Sequence, residues 1–180
     1  ILKRNPSQDY YLRGRGIAGA IDELRLGWLE GYYFFPILSK KKTVIGLVIS
    51  GGESLEQLAG TKYLIPPDQP PMLYVPSWKL IEKQEEIRIV YGIIDAITLF
   101  LLGKAVITGS AGKTIRPELL DDIRKPIIII PDHNEDADGL KLASGLGWRG
   151  KVNRILYPED SKDCNDLFLI HGKQYLLSVI

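Results

Sequence analysis

Cysteine is nearly absent from this chain of 180 residues. A single one, Cys164, excludes an internal disulfide framework and a cysteine-rich zinc site. Histidine is almost as scarce, and His133 with His171 leaves little for a histidine-based metal site. No sign of charge dominates: 23 Lys and Arg stand against 22 Asp and Glu, a net charge of +1. No global basic field therefore points to nucleic acid, and none excludes it. Long apolar runs are missing. The stretch 93–102, with Asp95 inside it, is too short to span a bilayer, so no membrane partner is expected. Internal repeats and low-complexity segments are missing too.

What is present is a globular balance, 45% hydrophobic and 25% charged, which excludes a mostly disordered chain or a coiled coil. The length suits one domain, or two small ones sharing a core. The chain begins at Ile1 rather than Met, which points to a fragment of something longer. No signal peptide is visible at this start, and the cysteine count fits a reducing, cytoplasmic setting.

The charge is unevenly spread. Residues 1–42 carry eight basic and four acidic side chains, a balance of +4. Residues 131–170 carry five basic and eight acidic ones, a balance of −3. A basic front and an acidic back suit an anionic polymer held beside a metal-binding carboxylate cluster. Two solvated faces with no ligand would give the same pattern.

The first half reads as mixed α+β. Ser7 is a candidate cap for a short helix through Leu12 that stops at Gly14. A second helix is expected over 18–26, ended by Gly27. Segments 33–38 and 43–50 read as a hairpin across the basic turn 39–42. Five prolines, Pro66, Pro67, Pro70, Pro71 and Pro76, argue against regular structure up to Trp78. From about Ile81 the pattern changes. Strands at 87–90, 105–108, 127–130 and 152–156 alternate with helices at 93–102, 117–124, 138–146 and from about Asn165. Such alternation predicts a parallel sheet covered on both faces, with 127–130 at its centre. The expected class is α/β, a Rossmann-like parallel sheet with flanking helices over 81–180, preceded by a smaller basic α+β lobe over 1–80.

Ligands in such sheets sit at the carboxyl ends of the strands. Three clusters meet there, around Tyr91-Gly92, Pro131-Asp132 and Pro158 to Asp166. Asp95, Asp132, Asn134, Asp136 and Asp163 all offer oxygen. Hard divalent cations want such groups, commonly one or two of them, completed by phosphate and water. Each acid alone could equally cap a helix or face solvent, Asp138 above all.

The order of these clusters resembles the Toprim domain, the metal-dependent catalytic module of bacterial-type DNA primases, topoisomerases and related nucleases. That signature is a strand ending in Glu-Gly, an Asp three residues after the Gly, then a hydrophobic strand ending in Asp-x-Asp. Gly92, Asp95 and Asp132 match it. Upstream, Tyr11-Leu12-Arg13-Gly14-Arg15-Gly16-Ile17 resembles the opening of the DnaG-like primase polymerase core. Phe35-Pro36-Ile37, Val44-Ile45-Gly46, Lys62-Tyr63-Leu64 and Leu73-Tyr74 follow in the family's order. Gly109-Ser110 sits where the family has a Gly-Thr-Ser loop. Residues 158–166 are similar to the Lys-Asp-x-Asn-Asp ending of primase-like proteins of plasmids, phages and mobile elements. The similarity covers roughly residues 9 to 169.

The resemblance implies template-directed ribonucleotide transfer. Mg²⁺ or Mn²⁺ would be held by Asp95 and Asp132, the candidate catalytic residues, helped by Asn134 or Asp136. Arg13, Arg15, Lys62 and Lys162 would face nucleic acid or nucleotide phosphates. Single-stranded DNA, nucleoside triphosphates and a replicative helicase are the implied partners. Three positions depart from the family. Tyr91 replaces the Glu, and a phenol with an ordinary pKa near 10 is a poor acid–base substitute. Asn134 replaces the second Asp of Asp-x-Asp, and Ser50 stands where the Gly-Gly-Arg segment ends. The expectation is therefore a primase-like replication protein whose catalysis is degenerate. The enzyme alternative is an active primase whose missing acid comes from Glu86 or Glu135.

Two further readings are open. Gly109-Ser110-Ala111-Gly112-Lys113-Thr114 follows a strand as a phosphate-binding loop would. The first Gly of that motif is missing, with Ile107 in its place. A nucleophile at Cys164 with His133 or His171 rests on composition alone. Trp28, Trp78 and Trp148 could stack bases, but their neighbours suit packing.

Overall fold

A computed structural model describes residues 9–51, 62–110 and 115–180. The proposed cap Ser7, the residue Gly52 and the loop residue Lys113 lie outside these. The first lobe opens with α1 (Asp9–Gly14) and a single 3₁₀ turn (Ala18–Ala20). An antiparallel sheet follows, in the order β1 (Gly27–Leu29), β2 (Tyr32–Leu38), β3 (Val44–Ser50) and β4 (Tyr63–Leu64). Glu30 and Gly31, with φ of 51° and 84°, make the tight reversal that pairs Leu29 with Tyr32. Two positive φ values in a two-residue loop match the right-handed twist of the strands. Along β2 and β3 the alternation buries Phe35, Ile37 and Val48 on one face.

The second lobe contains β5 (Leu73–Tyr74), α2 (Trp78–Lys83), β6 (Ile87–Ile89), α3 (Ile93–Leu101) and β7 (Val106–Gly109). It continues with a 3₁₀ turn (Pro117–Leu120), β8 (Ile127–Ile129), α4 (Asp136–Leu146), β9 (Gly150–Val152) and α5 (Cys164–Val179). The strand order is β5-β7-β6-β8-β9, parallel except for β5. The expected α/β class, a parallel sheet with flanking helices beside an antiparallel lobe, is what the chain adopts. No helix among the described residues is long and apolar enough to cross a membrane.

The parallel sheet packs on both faces. Ile87, Ile89, Tyr91, Ile107, Ile127 and Ile129 meet Leu142 and Leu146 of α4 on one side. Val90, Val106 and Ile130 meet α3 and α5 on the other, in a core that also holds Leu12, Trp28, Phe35 and Ile37 of the first lobe. The two lobes thus share one hydrophobic core. α3 lies inside it, with every residue from Ile93 to Leu99 buried.

Four local expectations change. The expected helix 18–26 is a 3₁₀ turn followed by irregular turns, with bonds such as Ile21 N–H to Ala18 O and Arg25 at φ 56°. Ile17, Ile21 and Leu24 are buried at helix-like spacing without a helix, and Gly27 opens β1 instead of stopping one. The expected helix at 117–124 is one 3₁₀ turn. The strand expected at 152–156 falls at Gly150–Val152. The sheet centre is β6 rather than the strand at 127–130. The strand at 87–90 is expected but not as the centre, because Arg88 interrupts its apolar run: that side chain is buried and paired with Glu86 at 2.9 Å. β4, just before Pro66, and β5, between Pro71 and Pro76, are two residues each, and Ser77 caps α2 by accepting from Leu80 N–H at 3.3 Å.

The last turn of α2 is closed by one ammonium. Lys125 Nζ donates to the carbonyls of Ile81, Glu82 and Gln84 at 2.7, 2.6 and 2.8 Å. Carbonyls at a helix end have no partner of their own, and a cation there also suits the dipole. Lys125→Met keeps the stem and removes the donor. It is expected to lower stability by about 2 kcal/mol, read as a lower urea midpoint at unchanged slope.

Candidate functional site

The carboxyl ends of β6 and β8 and the start of α5 form the site. β6 runs into Tyr91-Gly92, and Gly92 precedes the first turn of α3. Asp95 sits in that first turn and is buried. A Cβ on Gly92 would collide with Asp95 Oδ2. Glycine at 92 is therefore the condition for the carboxylate at 95. The other oxygen, Oδ1, accepts from Asn165 N–H at 2.8 Å.

Asn165 ties the site together. Its Nδ2 donates to Arg15 O at 2.8 Å and to Thr98 Oγ1 at 2.9 Å. Thr98 in turn donates to Ile94 O at 2.9 Å. Arg15 returns a bond from its guanidinium to Asn165 Oδ1 at 3.3 Å and lies 3.7 Å from Asp166. Its guanidinium also stands over the Tyr11 ring, 5.8 Å from the centroid. Asp163 caps α5 by accepting from Asp166 N–H at 2.8 Å.

The electrostatics are strained. Burial holds the Asp95 carboxyl well above the usual carboxylate range, and Asp163 and Asp132 push it further up. Burial raises Asp163 as well, with Asp166 adding to it. Three acids thus lie close enough to feel one another. Among the described residues, however, no three His, Cys, Asp or Glu side chains converge to hold a metal ion. The donor set fits an ion taken by one or two carboxylates and completed by phosphate and water, and does not fit a full protein cage.

The sequence-derived residues are placed as follows. Asp95 and Asp132 come together, with Asp132 half-buried at the end of β8. Asn134 is exposed in the left-handed region at φ 66°, which Asn tolerates. Asp136 opens α4 and lies 3.6 Å from Arg154. The acid that accompanies Asp95 and Asp132 is Asp163. Arg13, Lys62 and Lys162 are exposed, whereas Arg15 is half-buried in the Asn165 network. Glu86 pairs with Arg88 at the start of β6, the end of the sheet opposite the site. Ser50 is buried at the end of β3.

Tyr91 is buried on the α4 side of the sheet, and its hydroxyl has no hydrogen-bond partner. Burial, then the charges of Asp138, Glu135 and Asp132, push its pKa up. Burial does the same to the Cys164 thiol, which stays protonated and is no nucleophile. His171 accompanies Asp160 at 2.9 Å, and His133 lies edge-on to Tyr157. After β7 the next described helical element is the 3₁₀ turn at Pro117, so among the described residues no α-helix N-terminus stands close after β7. Trp28 is core. Asn165 and Thr98 escaped the sequence reading. The only signal was Asn165 inside the segment 162–166, between the buried Cys164 and Leu167.

This architecture is that of bacterial-type primase catalytic cores. Among solved structures, the chain is similar to the RNA polymerase domain of Mycobacterium tuberculosis primase DnaG, with 19% identity over 97% of this chain and 75% of that one, at a TM-score of 0.74. It is similar to the primase fragment of the bacteriophage T7 primase-helicase protein, with 17% identity over 94% and 72% and a TM-score of 0.70. It is also similar to a DnaG primase catalytic domain bound to ssDNA, with 16% identity over 97% and 58% and a TM-score of 0.60. No family model and no curated protein matches the chain.

Two outcomes test the site's geometry. Gly92→Ala is expected to cost about 1–3 kcal/mol in the native sequence and clearly less when Asp95→Ala has removed the opposing carboxylate, which a double-mutant cycle by denaturation measures. The second concerns pH. Asp95 and Asp163 hold protons more tightly folded than unfolded, so the folded state binds more protons. Stability then falls as pH rises from about 4, the unfolded carboxyl value, through the raised folded values. Asp95→Asn keeps the acceptor for Asn165 and is expected to flatten that fall, seen in melting curves from acid to neutral pH.

Proposed function

We propose that this chain is the core of a primase-like DNA replication protein that binds single-stranded DNA and whose catalysis is weak or lost. The observation that carries the loss is Tyr91. It stands where the Toprim resemblance has a glutamate, buried and with a partnerless hydroxyl. A phenol that burial keeps protonated is neither a general base nor a metal ligand at neutral pH. The primase-core fold supports the replication role.

Single-stranded DNA lies along the exposed cations Arg13, Lys62 and Lys162, while Arg15 supports the floor beneath them through Asn165. Asp132 and Asp163 would hold Mg²⁺ or Mn²⁺, with Asp95 behind them. A bound divalent ion supplies charge neutralisation for a nucleotide's phosphates. Nucleoside triphosphates and a replicative helicase are the other partners this reading carries. In the active-primase alternative, Glu86 is at the wrong end of β6. Glu135, whose charge is felt at Tyr91, is the acid that could serve instead.

Labelled oligothymidylate read by fluorescence anisotropy tests the reading. Arg13→Ala with Lys62→Ala is expected to weaken binding about tenfold or more and to shallow the salt dependence by roughly two ions. Asp132→Ala should leave binding intact. Primer synthesis with Mg²⁺ or Mn²⁺ that is robust in the native chain and disappears with Asp132→Ala would instead establish a working primase.

A further inference from the structure

One edge of the five-stranded sheet is β9. Its side-chain positions are divided between two faces. A Cβ at Gly150 would stand 2.8 Å from the Ala143 backbone, and Val152 Cγ1 lies 3.5 Å from where a Gly139 Cβ would be, so these two face α4. Lys151 and Asn153 alternate to the other face, where Asn153 Nδ2 donates to Val179 O at 2.9 Å. On the inner side the backbone is committed to β8, with Lys151 opposite Ile128 and Asn153 N–H donating to Ile129 O at 2.8 Å. The intervening Val152 turns its N–H and C=O outward. Among the described residues no strand lies beyond β9.

Two large exposed apolar side chains lie just before and just after β9 in the chain, Trp148 at 81% and Leu156 at 93% exposure. The local charge is also distinctive. Residues 139–158 contain Lys141, Arg149, Lys151 and Arg154 and no acid, within a half of the chain that is otherwise acidic. Arg149 turns inward onto the carbonyls of Leu120 and Ile123. Lys141, Lys151 and Arg154 are exposed, and Arg154 makes a solvent-exposed ion pair with Asp136 at 3.6 Å that a peptide carboxylate would have to replace.

We propose that the β9 edge docks an extended acidic peptide of a partner protein, which adds a strand to the sheet. Its backbone pairs with Val152, its apolar side chains rest on Trp148 and Leu156, and its carboxylates face Lys151 and Arg154. A basic edge repels a second copy of itself, which sets the same strip of this chain aside as occupant. A nucleic acid strand would use the cations and Trp148 but leave the outward backbone groups and Leu156 without a role. The proposal stands apart from the DNA-binding reading, which uses other cations.

The probe is a fluorescein-labelled pool of octapeptides alternating Asp or Glu with Val, Ile, Leu or Phe, read by anisotropy. Saturable binding is expected. Trp148→Ala and Leu156→Ala, both at exposed positions, should each weaken it about tenfold. Lys151→Glu should shift the preference to a matching pool carrying Lys, and Val152→Pro, which removes an outward N–H, should weaken binding too. Absence of binding, or equal binding by Trp148→Ala and Leu156→Ala, would overturn the proposal. So would displacement of the pool by oligothymidylate through Trp148, or a dimer in sedimentation that Trp148→Ala dissolves.

Discussion

Asn165 is the residue on which the site depends. One buried amide joins Arg15 of the first lobe to Thr98 of α3, while its backbone N–H fixes the Asp95 carboxylate. Every polar group of that side chain has a partner, which is the condition for burying it at all. The hydrophobic core holds the lobes together without saying where a carboxylate must point. The Asn165 network says so, because hydrogen bonds have direction and dispersion contacts do not. Gly92 supplies the complementary condition by leaving room for the second oxygen.

The arrangement runs against stability. A buried carboxylate beside two other acids costs free energy that an apolar side chain would not. Such strain is common where a charged ligand is received. A cation or a protonated partner would relieve it, and the exposed cations of the neighbouring surface suit a polyanion. Tyr91 fits this picture differently. It fills its space with apolar packing and contributes a hydroxyl with no partner, so the α4 side of the strand end is closed by a neutral group.

Much of the fold was legible in the sequence because its signals are local. The hairpin announced itself at 33–38 and 43–50 around a lysine turn, and α3 through a nearly continuous apolar run. Where tertiary packing outweighed local pattern, the reading slipped. Ile17, Ile21 and Leu24 have helical spacing yet pack from turns. Arg88 made the strand at 87–90 look less central than the apolar 127–130, although its charge is balanced by Glu86, two residues away. In the site, Asp95 and Asp132 were legible from order and spacing. Asp163 was visible as one oxygen among several, and only the path of the chain into α5 sets it beside Asp95. Asn165 was legible only as the Asn of the Lys-Asp-x-Asn-Asp segment, and its role was not, since an amide between two lobes looks like any other polar residue until both lobes are in place.

This one amide makes the two lobes and the carboxylate a single cooperative unit. Native-state hydrogen exchange on Asn165→Ala tests it most directly. The predicted result is a fall of about 2–3 kcal/mol in opening free energy, equal at Phe35 and Val48 in the first sheet and at Ile89 and Ile129 in the second. A loss confined to one sheet, or no loss at either, would contradict it.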